Sequence, residues 1–476
     1  MSAVSNAKWV AVSQIARITS QLANIFVLAR ILPPSDYGLM AMATVVTNLA
    51  LLIRDQGTSA AIIQKEELTH HTVNTVFWFN VLVGITIALM IALCSPVIAH
   101  YFKHDELIAI LVILALVFPI SSSSISHQAL LERESKFKKL AFIEVVSSVV
   151  AMVVAVIAAL YGAGVYSLVL QAILMALLSS IQLWVVSSWR PKGKPSWGEL
   201  KSLLPFTGHM TAFQLITYFF RNADSMVIGR ILGAASLGIY SMAYKVMLLP
   251  VQNITWASSR ALLPVMSRQQ NALNEMGKLY LQTLAFIAFL TAPLMAGIFA
   301  LREPFVEVAF GHHWIDVASV LAWLTPVGFM QSISSTTGTV FMAQGKTRLL
   351  MWLSLASALV HVIAYYIGAS HGVNGVAEWY FYASVLTGIP LIICAGKLVR
   401  CSPLDLLKSV WRPMLVALIM CISTHYAFTI TNAHLDIFTS FILAVFFGGF
   451  IYLVFFYLLF PSLIKTYLSK VFTRKG

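Results

Sequence analysis

The chain has 476 residues, of which 59% are hydrophobic and 10% charged, with a net charge of +13 and a mean hydropathy of +0.84. Soluble domains carry about 25% charged residues, so this composition excludes a soluble globular protein and places most of the chain in hydrocarbon. The positive excess raises nucleic acid as a partner, and the distribution of that charge along the chain answers the question below.

Apolar segments of about 20 residues, the length of a helix that crosses a bilayer, recur from end to end. Fourteen spans are expected, at 9–32, 36–60, 72–99, 106–130, 138–161, 164–187, 202–232, 236–265, 278–301, 316–342, 348–369, 373–399, 410–430 and 437–460. Each is too long for a barrel strand and lacks alternation, so the fold class is an all-α polytopic membrane protein. The first span carries Arg17 and ends at Arg30-Ile31-Leu32-Pro33-Pro34 without a small-x-small cleavage site, so it is expected to remain as a helix. In spans four and ten, Pro119 and Pro326 sit near Ser121–Ser124 and Ser332–Thr337, a pairing that predicts kinks beside hydrated polar runs. The four cysteines show neither CxxC nor zinc spacing and read as small apolar fillers, with no metal site expected.

A repeat organises the chain. Ala23 to Ala43 reads ANIFVLARILPPSDYGLMAMA, and Ala223 to Ala243 reads ADSMVIGRILGAASLGIYSMA. Without a gap, eight of the twenty-one positions are identical, Arg30/Arg230 and Gly38/Gly238 among them. A second echo pairs Lys136-Phe137-Lys138-Lys139 and the later Gly162-Ala163-Gly164 with Lys346-Thr347-Arg348 and Gly372-Val373-Asn374-Gly375. Internal repeats in an apolar chain mark transporter folds whose two lobes enclose a path. Six spans separate the copies, so both enter the membrane in the same direction, as parallel repeats. The expected domains are an N-terminal lobe at 1–190, a linker at 191–201 rich in Lys, Pro and Trp, a C-terminal lobe at 202–400, and two further helices with a basic tail at 401–476.

With the N-terminus in the cytoplasm, the inner segments hold 22 of the 31 Lys and Arg residues and the outer ones only Arg30, Lys103, Arg230 and Arg302. This is the positive-inside bias. It explains the net charge by topology, with both termini cytoplasmic, and removes the need for nucleic acid, leaving membrane lipids as the partner of the basic face.

Charges within the spans are the strongest functional signal, since each costs about 2.5–3.5 kcal/mol on insertion scales and needs a hydrated cavity or a partner. Arg17, Arg221, Lys245 and Arg260 are the candidate cations of a substrate cavity, suited to an anionic headgroup such as a diphosphate because guanidinium pairs with phosphate oxygens bidentately. Asp224, Glu144, Asp55 and Arg54 are candidates for ion coupling or for pairing within the bundle: Arg54 adjoins Asp55, and Arg221 stands three residues before Asp224. Arg30 and Arg230, matched by the repeat, are candidates for an outer gate, or snorkel to the interface. Gly345-Lys346-Thr347 is no phosphate loop, because Val340 stands where the first glycine is required; neither ATP nor another cofactor is expected. No acid/base pair or nucleophile constellation stands out, so the chain is read as a carrier, not an enzyme.

Ala29-Arg30-Ile31-Leu32-Pro33-Pro34-Ser35-Asp36-Tyr37-Gly38-Leu39, Asp55-Gln56-Gly57 with Ala61-Ile62-Ile63-Gln64-Lys65, Ala129-Leu130-Leu131-Glu132-Arg133-Glu134 and Phe310-Gly311-His312-His313-Trp314 together resemble the Wzx-type polysaccharide flippases, nearest to colanic-acid and teichuronic-acid exporters. The resemblance runs over nearly the whole chain. It implies the multidrug/oligosaccharidyl-lipid/polysaccharide exporter superfamily, with two six-helix lobes in a V. It also implies an isoprenoid-diphosphate-linked oligosaccharide as cargo, the bacterial inner membrane as location, and the polysaccharide polymerase and chain-length machinery as partners. The rival readings are a cation-coupled multidrug exporter of the same superfold, which predicts an acidic cavity, and a membrane polysaccharide polymerase, which predicts large outer loops.

Overall fold

A computed structural model describes residues 19, 22–54, 62–63, 68–192, 195, 208–270 and 272–460, with only the main chain at 208–213, 216 and 256–261. Among the described residues all regular secondary structure is helical. That follows from the solvent: hydrocarbon offers no hydrogen-bond partner, so each main-chain N–H and C=O must be satisfied within its own segment.

Eleven helices are long and apolar enough to cross a membrane, or twelve when one bent pair counts as a span. They coincide with twelve of the fourteen expected spans. Of the other two, 9–32 falls mostly outside the described residues, and 202–232 is described from residue 208 onward as two shorter helices. Fourteen is therefore the expectation, and twelve the number reached among the described residues.

The chain divides into two compact units, residues 1–238 and 239–476. The first contains α1 (Pro34–Arg54), α2 (His70–Phe102), α3 (Glu106–Ala115), α4 (Val117–Ser122), α5 (Ile125–Arg133), α6 (Phe137–Leu160), α7 (Val165–Val186), α8 (Gly208–Arg221), α9 (Ala223–Ile231) and the first residues of α10 (Gly233–Arg268). α2 packs along α3 and α4, α6 along α7, and α8 and α9 against α1. Pro34, at the first position of α1, supplies a preset φ and lacks a donor that would be orphaned there anyway.

The kink expected near Pro119 is a break at Ser123–Ser124, across which α3–α4 and α5 are bent by 40°. A break frees carbonyls inside the membrane, and α7 satisfies two of them. Ser180 Oγ donates to the Ile120 carbonyl (3.2 Å) and Trp184 Nε1 to the Ser123 carbonyl (3.1 Å). The residues just before the linker are held on the same unit: the Trp189 ring centroid lies 5.7 Å from those of both Phe77 and His70.

The second unit holds the rest of α10, then α11 (Leu273–Ala300), α12 (Arg302–Phe310), α13 (Asp316–Ser334), α14 (Thr337–Ala343), α15 (Thr347–Ala369), α16 (Gly372–Leu398), α17 (Pro403–Asn432) and α18 (Ile437–Leu459). Met276, Tyr280, Leu284 and Ile287 of α11 pack with Phe341, Val399 and Leu406. Ala292 meets Met420, Tyr452 and Phe456 of the last two helices. Those two helices are capped by design: Ser402 and Asp405 form a reciprocal capping box on α17, and Asp436 accepts from Thr439 N on α18. Hydrogen bonds from Thr439 hold the Asp436 carboxyl below its ordinary range.

The echo between the units extends to backbone detail. α5 ends on Ser135 at φ 55°, and α14 on Gly345, 210 positions later, at φ 65°. Ser135 N donates to Glu132 O and Lys136 N to Leu131 O; Gly345 N donates to Met342 O and Lys346 N to Phe341 O. Gly162 (φ 82°) and Gly372 (φ 77°) form the next matched pair.

Candidate functional site

The residues singled out by charge fall into three groups. Arg17 and Asp55 lie outside the described residues. Arg260 lies within α10, but its side chain is outside them. Arg221, Lys245, Asp224, Glu144, Arg54, Arg30 and Arg230 are all described.

Arg221 is the last residue of α8, and its side chain is exposed. One turn earlier, Tyr218 donates through Oη to the Val45 carbonyl (2.5 Å), which fixes this part of α8 on α1. The expectation that Arg221 and Asp224 share a helix face assumed a continuous helix. The chain breaks between them at Asn222 (φ −112°), so α9 starts afresh at Ala223. Asp224 falls in the first turn of that new helix, buried at 7% exposure, and its Oδ1 accepts from Ser225 N at 2.6 Å. Among the described residues no ion pair joins the two. A carboxylate at a helix N-terminus is favoured by the free amides there, which supplies a local reason for an acid at this depth. Lys245 lies in α10 with an exposed side chain, four turns before Arg260.

Arg54 ends α1 and reaches the broken span: its Nη1 donates to Ser121 Oγ at 2.6 Å, while that hydroxyl donates to the Val117 carbonyl at 2.7 Å. The guanidinium thus sits two residues before the break between α4 and α5. Glu144 is half-buried, two turns into α6. His361, on α15, is bridged to α16: its Nδ1 stands 2.7 Å from the Ser357 carbonyl and its Nε2 3.3 Å from Ser384 Oγ.

Arg30 is exposed at the turn before α1. Its repeat partner Arg230 reaches the C-terminal end of α2, donating from Nη1 to the carbonyls of His100 (3.3 Å) and Tyr101 (2.5 Å), with the guanidinium 5.5 Å from the Tyr101 ring centroid. Simple snorkelling did not anticipate this tie. The same end of the unit brings together Gly229 with Phe102, Gly164 with Asp36, and Gly38 with Ala234. Sequence reasoning listed Gly38 and Gly238 as repeat identities and read no contact from them. It also missed Ser180 and Trp184 as partners of the broken span. The Ser121–Ser124 run was the available signal for the break, but its partners on α7 are 57 or more positions away.

The comparisons with known proteins agree over most of the chain. The family model described as "Polysaccharide biosynthesis protein" matches residues 27–319. The chain is 24% identical over 422 residues to the teichuronic acid biosynthesis protein TuaB of Bacillus subtilis, covering 88% of this chain and 87% of that one. It is 25% identical to the lipopolysaccharide biosynthesis protein WzxC of Escherichia coli (87% and 85% covered). It is 26% identical to the succinoglycan biosynthesis transport protein ExoT of Rhizobium meliloti (99% and 96%). Among solved structures, the lipid II flippase MurJ in an inward closed conformation matches with a TM-score of 0.73 at 17% identity, over 95% of this chain and all of that one. An inward-facing multidrug resistance MATE transporter of the MOP superfamily matches with a TM-score of 0.61 at 16% identity, over 80% and 94%. The fold is that of this exporter superfamily, and the chain is a multi-pass membrane protein.

Proposed function

The chain belongs to the polysaccharide biosynthesis protein family, and on that premise we propose that it moves isoprenoid-diphosphate-linked oligosaccharide units across the bacterial cytoplasmic membrane by alternating access. One observation carries the reading: relatives named for the biosynthesis or transport of surface polysaccharides align over most of the chain, on the fold of a lipid II flippase. Cargo of that class has a diphosphate between a lipid tail and a glycan. A carrier must hold the diphosphate while the glycan crosses the hydrocarbon.

Arg17, Arg221, Lys245 and Arg260 are the proposed cations for that task, and Arg54 is kept by Ser121 beside the broken span. Guanidinium binds phosphate with two parallel hydrogen bonds, and a low dielectric strengthens each. The domains proposed on the repeat are a lobe at 1–190, a linker at 191–201, a lobe at 202–400 and an appended pair at 401–476, with both termini cytoplasmic. Asp224 and Glu144 are the acids for ion coupling. The polymerase and chain-length machinery are the proposed partners, and no chemistry is assigned to the chain itself. A multidrug exporter shares the fold, but its cationic cargo calls for acids where this chain carries mostly arginine and lysine.

The test is removal of the protein. Lipid-linked repeat units should be assembled and should accumulate on the cytoplasmic leaflet, with surface polysaccharide lost. Failure to assemble the unit at all would move the protein into the synthetic chemistry and overturn the reading.

A further inference from the structure

Where the start of α17 meets the end of α18, a cation is framed by aromatic rings. Arg412 lies in the third turn of α17, next to Pro413. Its side chain is half-buried, and its Nε is out of solvent with no acceptor among the described residues. The guanidinium carbon lies 5.1 Å from the Phe460 ring centroid and 5.9 Å from that of Trp411. Those two rings stand edge to face at 5.9 Å. Guanidinium stacks on aromatic rings in this way. The wall behind it is firm: Phe460 packs on Phe456 at 5.7 Å, and Phe456 on Phe289 of α11 at 4.7 Å. Free snorkelling would carry such a side chain out into water. Arg412 is held against Phe460 instead, so packing sets the plane of the guanidinium and not the partner of its N–H edge.

The acids nearby are already committed. Asp405, two turns earlier on α17, accepts from Ser402 N at 3.0 Å and from Ser402 Oγ at 2.7 Å. Glu275, at the start of α11, is paired with Lys278 at 2.8 Å. From Ile437 to Gly476 the sequence contains no Asp or Glu. One turn before Arg412, Lys408 adds an exposed second cation on the same face. Beside the two cations, Leu404, Leu407, Trp411, Leu415 and Leu418 recur at intervals of three and four and expose one apolar stripe along α17.

We propose that Arg412 and Lys408 bind the phosphate of an anionic phospholipid, with its acyl chain along the α17 stripe. A phosphodiester offers two oxygens to the guanidinium fork, and the lysine adds a point charge for the same anion. Trp411 is the residue type that seats at headgroup level. Basic side chains at the end of a membrane helix recruit acidic headgroups. Free inorganic phosphate shares that chemistry but has no chain for the stripe. The site is more than the diffuse attraction of a basic face, because one oriented fork takes one headgroup. It does not depend on the identity of the cargo. Its leaflet follows from the orientation proposed above; the site itself does not.

The test reads the lipid beside Trp411 by fluorescence quenching. Full-length protein is reconstituted in phosphatidylcholine vesicles containing a minor fraction of brominated phosphatidylglycerol, or the same fraction of brominated phosphatidylcholine. The Trp411 signal is the difference between each protein and its own Trp411→Phe control. Brominated phosphatidylglycerol should quench that signal as if enriched about fivefold over its share of the bilayer, the attraction of one basic side chain for an anionic surface. Arg412→Gln should abolish the enrichment, and Arg412→Lys should keep part of it, having charge without the fork. Equal quenching by the two brominated lipids overturns the site, as does full enrichment in Arg412→Gln.

Two further arms close the alternatives. Inorganic phosphate, against chloride at matched ionic strength, should leave the enrichment in place; its loss would assign the guanidinium to free phosphate and overturn the lipid. If Arg412→Gln does not fold, Lys408→Gln decides in the same assay. It should lower the enrichment, and an unchanged value overturns the proposal.

Discussion

Arg230 donates to the carbonyl of Tyr101 and lies over that residue's ring, so one guanidinium caps the last turn of α2 and covers its aromatic side chain. The carbonyls at a helix C-terminus lack intrahelical partners and carry the negative end of the helix dipole, which a cation offsets by about 0.3–1 kcal/mol near the surface. Arg230→Ala should lower the thermal midpoint in detergent by a few degrees, on the order of 1 kcal/mol. Arg230→Lys should recover part of the loss through charge alone. Equal midpoints for all three proteins would leave the cap without energetic weight.

The broken fourth span should depend on α7. Trp184→Phe keeps an aromatic side chain but removes the donor to the Ser123 carbonyl, and Ser180→Ala removes one of two hydroxyl donors to the Ile120 carbonyl, the other being Ser123 Oγ. Leaving a buried carbonyl unpaired costs about 1–3 kcal/mol. Trp184→Phe should therefore lose stability through the lost donor and the smaller ring together, and Ser180→Ala should lose less, because Ser123 Oγ still donates to the Ile120 carbonyl. Hydrogen exchange at residues 120–128 would detect the loosening.

The cavity cations should act on export. Arg17→Ala and Arg260→Ala should reduce surface polysaccharide sharply at normal protein levels, and the lysine replacements should lie between, keeping charge without the fork. Full export by both alanine variants would remove these residues from the cargo path.

Arg221 and Asp224 separate the two readings of a membrane charge. Because the helix breaks between them and no ion pair joins them among the described residues, Asp224→Ala should not restore export to Arg221→Ala. Recovery in the double variant would show that the pair acts through folding.

Orientation is checked by fused reporters. One after Lys194 should report the cytoplasm and one at His312 the outside. A cytoplasmic His312 would invert half of the proposed topology.

Hydropathy alone located twelve of the spans that the described residues contain, because a hydrocarbon solvent imposes helix and length before any tertiary contact exists. The repeat was equally legible: Arg30/Arg230 and Gly38/Gly238 could be matched by eye. What those identities are for could not be read, because contacts between residues 200 positions apart leave no local trace. Only the tertiary structure brings Gly38 onto Ala234 and Gly238 onto Pro34, and turns two matched glycines of the repeat into a backbone contact that excludes any Cβ. Likewise the break at Asn222 parts Arg221 from Asp224, although spacing by three had set them on one face. Arg54 reaches Ser121, 67 positions along the chain, a contact that no local pattern announces. A side chain's environment inside a bundle is set by whichever helix packs beside it, and sequence periodicity specifies the face of a helix but not its neighbour.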